Sequence, residues 1–405
     1  LVVYVSHKPH RPETIPYTAD TAGYPFRHNQ IIQPAEKGTY TVSFCIAPFL
    51  KINHDLTGNY RPCDFHDEFE GEYKTPEECF RSPEMELMRL DMIHGLIREE
   101  CNNCHKLEDV GIKSRRQHFN EMYPDEILEL KMNPRVRFPI KDLEMSFDNT
   151  CNFACVTCSP TYSSQWEKEL GIIEKTTCDL NPDLVKNLKH LTLLGGEPML
   201  SKRAYTQEFF KTMHENFDFE NALLVIYTNN SIQPKGHWYN LLKKVKNLIV
   251  FCSLDGVDEV GEYVRFGHNQ EIFDYNYHIW KGFADTRIAF TTHIMNIFQV
   301  NKMLERYDEV DFQTLHSPKY LNPSILPAHI KEMILQHDDS DFIRNYLNSG
   351  DYDEDECKSY LCYVNYLRNR RGEPPEECLR VFEQLYTLFP TVETYDLQLY
   401  GSQDL

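Results

Sequence analysis

No apolar run in this sequence approaches the ~20 residues that cross a bilayer, and it has no internal repeat or low-complexity tract. Basic charge is scarce. The 42 Lys and Arg stand against 62 Asp and Glu, a net charge of −20. Such a surface repels phosphate backbones and argues against nucleic acid as the main partner. The one dense basic run, "KSRRQ" (113–117), is too short to reverse this and reads as a solvated helix face. The opening "LVVYVSHKPH" is apolar for only five residues and lacks the shape of a secretory signal. It starts at Leu1 rather than Met, so residues are expected before it.

What is present is a globular composition, 41% hydrophobic and 26% charged, in a chain long enough for one large domain or several smaller ones. Cysteine is plentiful. There are 13, and seven fall into two sets: Cys151, Cys155, Cys158, and Cys45, Cys63, Cys101, Cys104. Clustered thiols in a large chain without a secretory signal point to metal ligands in a reducing compartment, so a cytoplasmic location is expected. The other six, Cys79, Cys178, Cys252, Cys357, Cys362 and Cys378, read as small buried or neutral surface residues.

Four regions follow from the pattern. Residues 1–40 are rich in Pro, Tyr and polar residues and read as an extended arm. Residues 41–125 carry the four-cysteine set, and residues 318–405 read as a helical, acidic extension with "GDYDEDE" (350–356) as an exposed loop. Residues 140–317 alternate apolar strands (143–147, 190–194, 222–227, 248–254, 287–295, 309–315) with amphipathic helices (203–217, 236–245, 271–285). That alternation predicts parallel βαβ units, and six strands predict a partial (β/α)6 barrel. Ligands gather at the carboxyl ends of such strands. "CNFACVTC" (151–158), "GGEP" (195–198), "TNNS" (228–231) and "SLDG" (253–256) follow or end the first four, so these loops are expected on one rim.

"CNFACVTC" supplies three thiolates where a closed metal site needs four. A [4Fe–4S] cube held by three cysteines keeps one iron open, by the same logic that separates catalytic from structural zinc sites. An S-adenosylmethionine molecule can chelate that iron through its amino and carboxylate groups. One electron from the cube then breaks the sulfonium C–S bond and releases a 5′-deoxyadenosyl radical. The competing reading is a zinc site completed by Cys178, which follows Cys158 at a finger-like distance. "GGEP" one βα unit later favours the open cube, because its glycines permit close backbone approach to a ligand and Glu197 can accept from an ammonium group.

With these motifs the chain resembles the radical SAM superfamily over residues 140–317. The resemblance implies that Gly195, Gly196 and Glu197 hold the methionine amino group. It also implies that Asn229 and Ser253 approach the ribose or carboxylate, and that Arg265, in "EYVRFG", lies near the carboxylate. One departure is Thr157, where the family often has an aromatic residue near the adenine.

The four-cysteine set has a different character. "FLKINHDLTGNYRP" (49–62) reads as a hairpin turning at 55–59, and "SPEMELMRLDMIHGLI" (82–97) as a helix leading into "CNNC" (101–104). Four thiolates close a site, which suits a structural zinc or a fully ligated second [4Fe–4S] cluster. The layout is similar to the auxiliary-cluster modules called twitch or SPASM domains, placed here before the radical domain. "CNNCHKLEDVGIKSRRQHFNE" (101–121) looks like a subgroup with an N-terminal twitch domain, which implies the iron–sulfur alternative. His54, His66, His94 and His105 lie near this set and could replace a cysteine, though such histidines are more often surface or hydrogen-bonded residues.

His293 and Thr291 share one face of the fifth strand, so His293 is expected either to face substrate or to sit satisfied in the core. Asp255, on the face of Ser253, is expected to bind substrate or cap the next helix; Cys252 points the other way. The function implied is a radical SAM oxidoreductase with two [4Fe–4S] clusters and S-adenosylmethionine. Its electron donor would be of flavodoxin or ferredoxin type, and its substrate a peptide or protein side chain. A small metabolite, sugar or nucleotide substrate, or a non-catalytic iron–sulfur protein that binds the cofactor, are the alternatives. Purified anaerobically, the protein should be brown and carry about eight iron atoms per chain; elemental analysis that finds stoichiometric zinc and no iron would refute both cluster assignments.

Overall fold

The computed structural model describes residues 43–390 except 55, 57, 58, 64, 67–72, 172–180 and 202–205. The expected arm at 1–40, Cys178, part of the 55–59 turn and the start of the helix at 203–217 lie outside the described residues.

Among the described residues ten strands form two sheets: β1 (Lys51–His54), β2 (Tyr60–Arg61), β3 (Asp142–Ser146), β4 (Ala154–Cys155), β5 (His190–Leu194), β6 (Leu223–Thr228), β7 (Asn247–Ser253), β8 (Arg265–Phe266), β9 (Asp285–Thr292) and β10 (Val310–Thr314). The large sheet runs β10-β9-β7-β6-β5-β3-β1-β2, and only the β1–β2 pair is antiparallel. The six strands expected from the sequence are all present, adjacent and parallel. Alternation sets which face each residue takes. Leu143, Met145, Leu191, Leu193, Leu224, Ile226, Val250, Cys252, Ile288 and Phe290 enter the main core. There they meet Met213, Trp238, Phe273, Trp280 and Met303 from the intervening helices. On the other face Val225, Phe251 and Ala289 form a separate apolar strip with Leu223, Tyr227 and Ile249 beside them.

The hairpin does not stand apart as a separate module. β1 pairs in parallel with β3, Lys51 opposite Asp142 and Asn53 opposite Glu144, and extends the same sheet. Side chains explain the register. Lys51 Nζ donates to Asp142 Oδ1 at 3.0 Å and to Glu144 Oε2 at 3.1 Å, and Asn53 Nδ2 donates to Glu144 Oε1 at 3.2 Å. Asp142 is fully buried and also takes Tyr123 Oη at 3.0 Å and His190 Nδ1 at 3.1 Å. A charged strand that reads as polar in sequence is thus a buried seam.

The rest of the first region packs around a second core of Phe44, Ile46, Phe49, Leu50, Met88, Met92, Phe119, Tyr123 and Leu130. The expected helix at 82–97 runs Pro83–His94. Ser82 caps it by accepting from Met85 N, and Gly95 ends it with a left-handed φ of 72°. At the other end of the chain the acidic run is only half loop. Asp353 accepts from Glu356 N and caps the helix Glu354–Arg371, so Glu354, Asp355 and Glu356 are its first turn, where negative charge is favoured. That helix shares the main core through Tyr360, Leu361, Tyr363, Val364 and Leu367.

Burial opposes the charge of Asp142, but Lys51 and His190 more than offset it and hold its carboxyl well below the ordinary range. Its stabilising contribution is therefore complete above the ordinary aspartate pKa and is withdrawn as the pH falls below it. Asp142→Asn leaves Lys51 with one acid fewer and should cost about 3 kcal/mol. Urea unfolding at neutral pH measures this, and the difference from the native chain should shrink in acid.

Candidate active site

The loops after β3, β5 and β6 and the end of β7 converge on one cavity of about 350 Å³, within the range of small-molecule sites. It is lined by Cys151, Cys155, Cys158, Gly195, Gly196, Asn229, Ser253 and Arg265, among others. Three independent restraints shape the cysteine loop. Asp148 turns it, Oδ1 accepting from Thr150 N at 2.9 Å and Oδ2 from Ser201 Oγ at 2.7 Å. Cys155 lies in β4, which pairs antiparallel with β8 so that Cys155 faces Arg265 and Ala154 faces Phe266. Opposed residues of an antiparallel pair share a face, which explains how Arg265 reaches the cavity. Tyr363 Oη, from the helix Glu354–Arg371, donates to Val156 O at 2.8 Å.

The "GGEP" loop sits directly on this backbone. Gly196 N donates to Asp148 O at 3.0 Å and Glu197 N to Thr150 O at 2.7 Å. A Cβ on Gly195, whose φ is 124°, would stand 2.9 Å from Asp148 O, and one on Gly196 would stand 2.5 Å from Thr150 O. The close approach that demands glycine is therefore to the cysteine loop.

Glu197 differs from the sequence expectation. It is 1% exposed and does not line the cavity. Its Oε1 accepts from Met199 N at 3.0 Å and Thr228 Oγ1 at 2.9 Å, and its Oε2 from Asn229 N at 2.6 Å. Burial pushes its carboxyl up, against these hydrogen bonds. Its oxygens are spent tying the β5 loop to the end of β6. Asn229, so placed, sets its Nδ2 3.8 Å from Cys151 Sγ and 2.9 Å from Asn152 Oδ1.

Asp255 is neither in the cavity lining nor a helix cap. Its Oδ2 accepts from Arg265 Nη1 at 2.7 Å and its Oδ1 from Thr291 N at 3.0 Å. Arg265 keeps a buried Nε without a hydrogen-bond partner among the described residues. Burial disfavours its charge, but Cys155 and Asp255 more than restore it. His293 is fully buried away from the lining; Nδ1 accepts from Met295 N at 3.2 Å, and burial lowers its pKa to about 4. Ser317 and Pro318 also line the cavity. They follow β10, and the carboxyl-end rule applied to the sixth strand would have found them. Thr157 and Tyr162 are lining residues too.

The thiols share one electrostatic problem. Burial and the neighbouring Cys155 push Cys151 up to about 12. Cys158 is raised by burial, Cys155 and Cys151, and Cys155 by burial against the pull of Arg265. Three thiolates at this spacing need a cationic centre among them, and Arg265 alone cannot supply the charge. The donor set fits a polynuclear centre.

The second set also comes together. Cys45 is raised by burial and then by Cys63, Cys104 and Cys101, so the other three thiols of the set all act on it. Burial and Cys104 push Cys101 up to about 11. Phe44 O accepts from Arg116 Nη1 at 3.0 Å and Asn120 Nδ2 at 2.9 Å, and Asn120 Oδ1 accepts from Ile46 N at 2.9 Å, which fixes the backbone on both sides of Cys45. Of the neighbouring histidines, His54 packs on Tyr60 at 4.4 Å, His66 is buried with Nε2 4.0 Å from Glu100, His94 is exposed, and His105 is half-buried with its pKa lowered by burial. Phe65, two residues past Cys63, meets the ring of His316 edge-on at 4.3 Å, next to the cavity-lining Ser317.

Residues 144–273, less than half of the chain, match a family described as a 4Fe-4S single cluster domain. The match encloses the three-cysteine loop and excludes the other four cysteines. No curated protein matches the chain. Among solved structures, native anSMEcpe with bound AdoMet and Kp18Cys peptide is 15% identical with a TM-score of 0.36, covering 57% of this chain and 63% of that one. Native anSMEcpe with bound AdoMet is 16% identical with a TM-score of 0.39, covering 56% and 67%. Streptococcus suis SuiB bound to precursor peptide SuiA is 12% identical with a TM-score of 0.33, covering 72% and 62%. These are distant similarities, and the chain spans under two thirds of the length of the first. Among the described residues no helix is long and apolar enough to cross a membrane.

Gly196→Ala drives a Cβ into a backbone carbonyl and should part the two loops. Elemental analysis should then find that the iron held by the three-cysteine loop is lost. Glu197→Gln puts an NH2 group against an N–H donor and should cost about 1–3 kcal/mol of stability. Chemical unfolding checks the second; an unaltered midpoint would return Glu197 to the role of ligand acceptor.

Proposed function

We propose that this protein is a radical SAM oxidoreductase of the subgroup with an N-terminal twitch-like auxiliary cluster. The observation that carries the reading is the convergence of Cys151, Cys155 and Cys158 with Gly195, Gly196, Asn229, Ser253 and Arg265 on one cavity at the carboxyl end of a parallel sheet. The three cysteines would hold a [4Fe–4S] cluster. Bound together, that cluster and S-adenosylmethionine supply a reductively formed 5′-deoxyadenosyl radical able to take a hydrogen atom from an unactivated C–H bond.

The chain's own residues do the positioning. Arg265, anchored by Asp255, offers its cation to the cofactor carboxylate. Asn229 and Ser253 present polar groups at the strand ends toward the ribose. Glu197 ties the loop after β5 to the end of β6 and keeps the floor rigid. Cys45, Cys63, Cys101 and Cys104 would hold a second, fully ligated [4Fe–4S] cluster engaged in electron transfer, and a flavodoxin- or ferredoxin-type protein in the cytoplasm would supply the first electron. The substrate is proposed to be a peptide or protein side chain. The strip of Leu223, Val225, Tyr227, Ile249, Phe251 and Ala289, which reaches the cavity at Tyr227, suits an apolar side chain better than a sugar or nucleotide.

Anaerobic protein reduced with dithionite should release 5′-deoxyadenosine from S-adenosylmethionine. Cys151→Ala, Cys155→Ala and Cys158→Ala should each abolish this while the second cluster persists. Cys104→Ala should keep the release and make little or no product. Chromatography of the reaction mixture reads both outcomes. Release that survives the loop variants would disprove the site assignment, and full product yield without the second cluster would disprove its electron-transfer role.

A further inference from the structure

The helix Glu354–Arg371 ends in a cation that nothing above uses. Arg371 has a side chain only 1% exposed. Its guanidinium lies 4.7 Å from the centre of the Trp166 ring and 4.9 Å from that of Phe266. Nε, Nη1 and Nη2 are buried, and none has a hydrogen-bond partner among the described residues. Glu169 Oε2 stands 3.6 Å from Nη2, beyond hydrogen-bond reach, while Glu169 Oε1 is taken by Tyr366 Oη at 2.9 Å. A buried guanidinium held this way is costly unless negative charge lies close by.

Both rings that hold it belong to the cysteine loop's scaffold. Trp166 Nε1 donates to Cys155 O at 2.9 Å. Phe266 lies opposite Ala154 in the β4–β8 pair. Arg371 is thus fixed behind the loop, on a part of the chain remote in sequence from the motif and outside the 4Fe-4S family match.

We propose that Arg371 sets the reduction potential of the centre held by the cysteine loop, by placing one fixed positive charge behind Cys155 that favours the reduced, more anionic state. This rests on the loop holding an iron–sulfur cluster. One electron enters from an external low-potential donor, the centre gains one negative charge, and no bond forms or breaks. The charge of Arg371 is compensated only in part by Glu169, so the two residues act in opposite directions.

The test is a dithionite titration of the reconstituted full chain followed by electron paramagnetic resonance. The loop centre is identified as the signal lost in Cys155→Ser. Arg371→Met should make reduction of that centre about tenfold less favourable, about 59 mV for one electron, with its iron retained. Arg371→Lys should stay close to the native value. Glu169→Gln keeps the arginine and removes its counter-charge, so it should move the potential the opposite way; this variant decides the matter if Arg371→Met does not fold. An unchanged potential in iron-replete Arg371→Met, or a shift in Glu169→Gln of the same sign as that expected for Arg371→Met, overturns the proposal. Native protein with no iron–sulfur signal overturns it together with the reading beneath it, whereas a native signal with unmoved variants overturns the role of Arg371 alone.

Discussion

The contact between two stretches of bare backbone holds this site together. Residues 148–150 and Gly195–Gly196 touch with no side chain between them, and two N–H···O=C bonds, from Gly196 and Glu197, join the two loops. Everything else takes its place from that contact. The cysteine loop is fixed to the end of β5, Glu197 links the loop after β5 to the end of β6, and Asn229 is delivered to Cys151. Backbone is the stiffest material a protein has, and a site built from it resists side-chain rearrangement. The glycines are needed for their missing Cβ as much as for any ligand.

Charge is arranged around the cavity in layers. The three thiols share a buried space, Arg265 reaches them from β8, and Asp255 steadies Arg265 from the end of β7. A cation at such a distance is worth far more here than at the surface, because the low local dielectric strengthens every interaction. The same property makes an unpaired thiolate costly. The protein therefore holds a donor set whose favourable ionisation depends on a cationic guest.

Much of this was legible in the sequence because it is periodic or local. Six strands and their helices follow from apolar alternation, and four loops on one rim follow from parallel topology. The side-chain faces of Ser253 and Cys252 follow from the two-residue period of a strand. What stayed hidden depends on partners far along the chain. β1 joins β3 because Lys51 finds Asp142, 91 residues away. Glu197 is turned inward by donors in the loop after β5 and at the end of β6 that no spacing rule connects. Asp255 serves Arg265, and its neighbours in sequence give no hint of that. Tyr363 and Arg371 support a loop more than 200 residues earlier. Local pattern names the elements, whereas long-range polar pairing decides which of them share a boundary.

The large sheet ends at β2, a strand of two residues, Tyr60 and Arg61, paired only through β1. An open edge of parallel strands offers unpaired amides to any passing chain, and β3 would have been such an edge without the hairpin. β1 covers it with four residues, and β2 then closes β1 with an antiparallel pair too short to template another strand and carrying a charge. The hairpin therefore also guards this edge of the sheet against pairing with another chain.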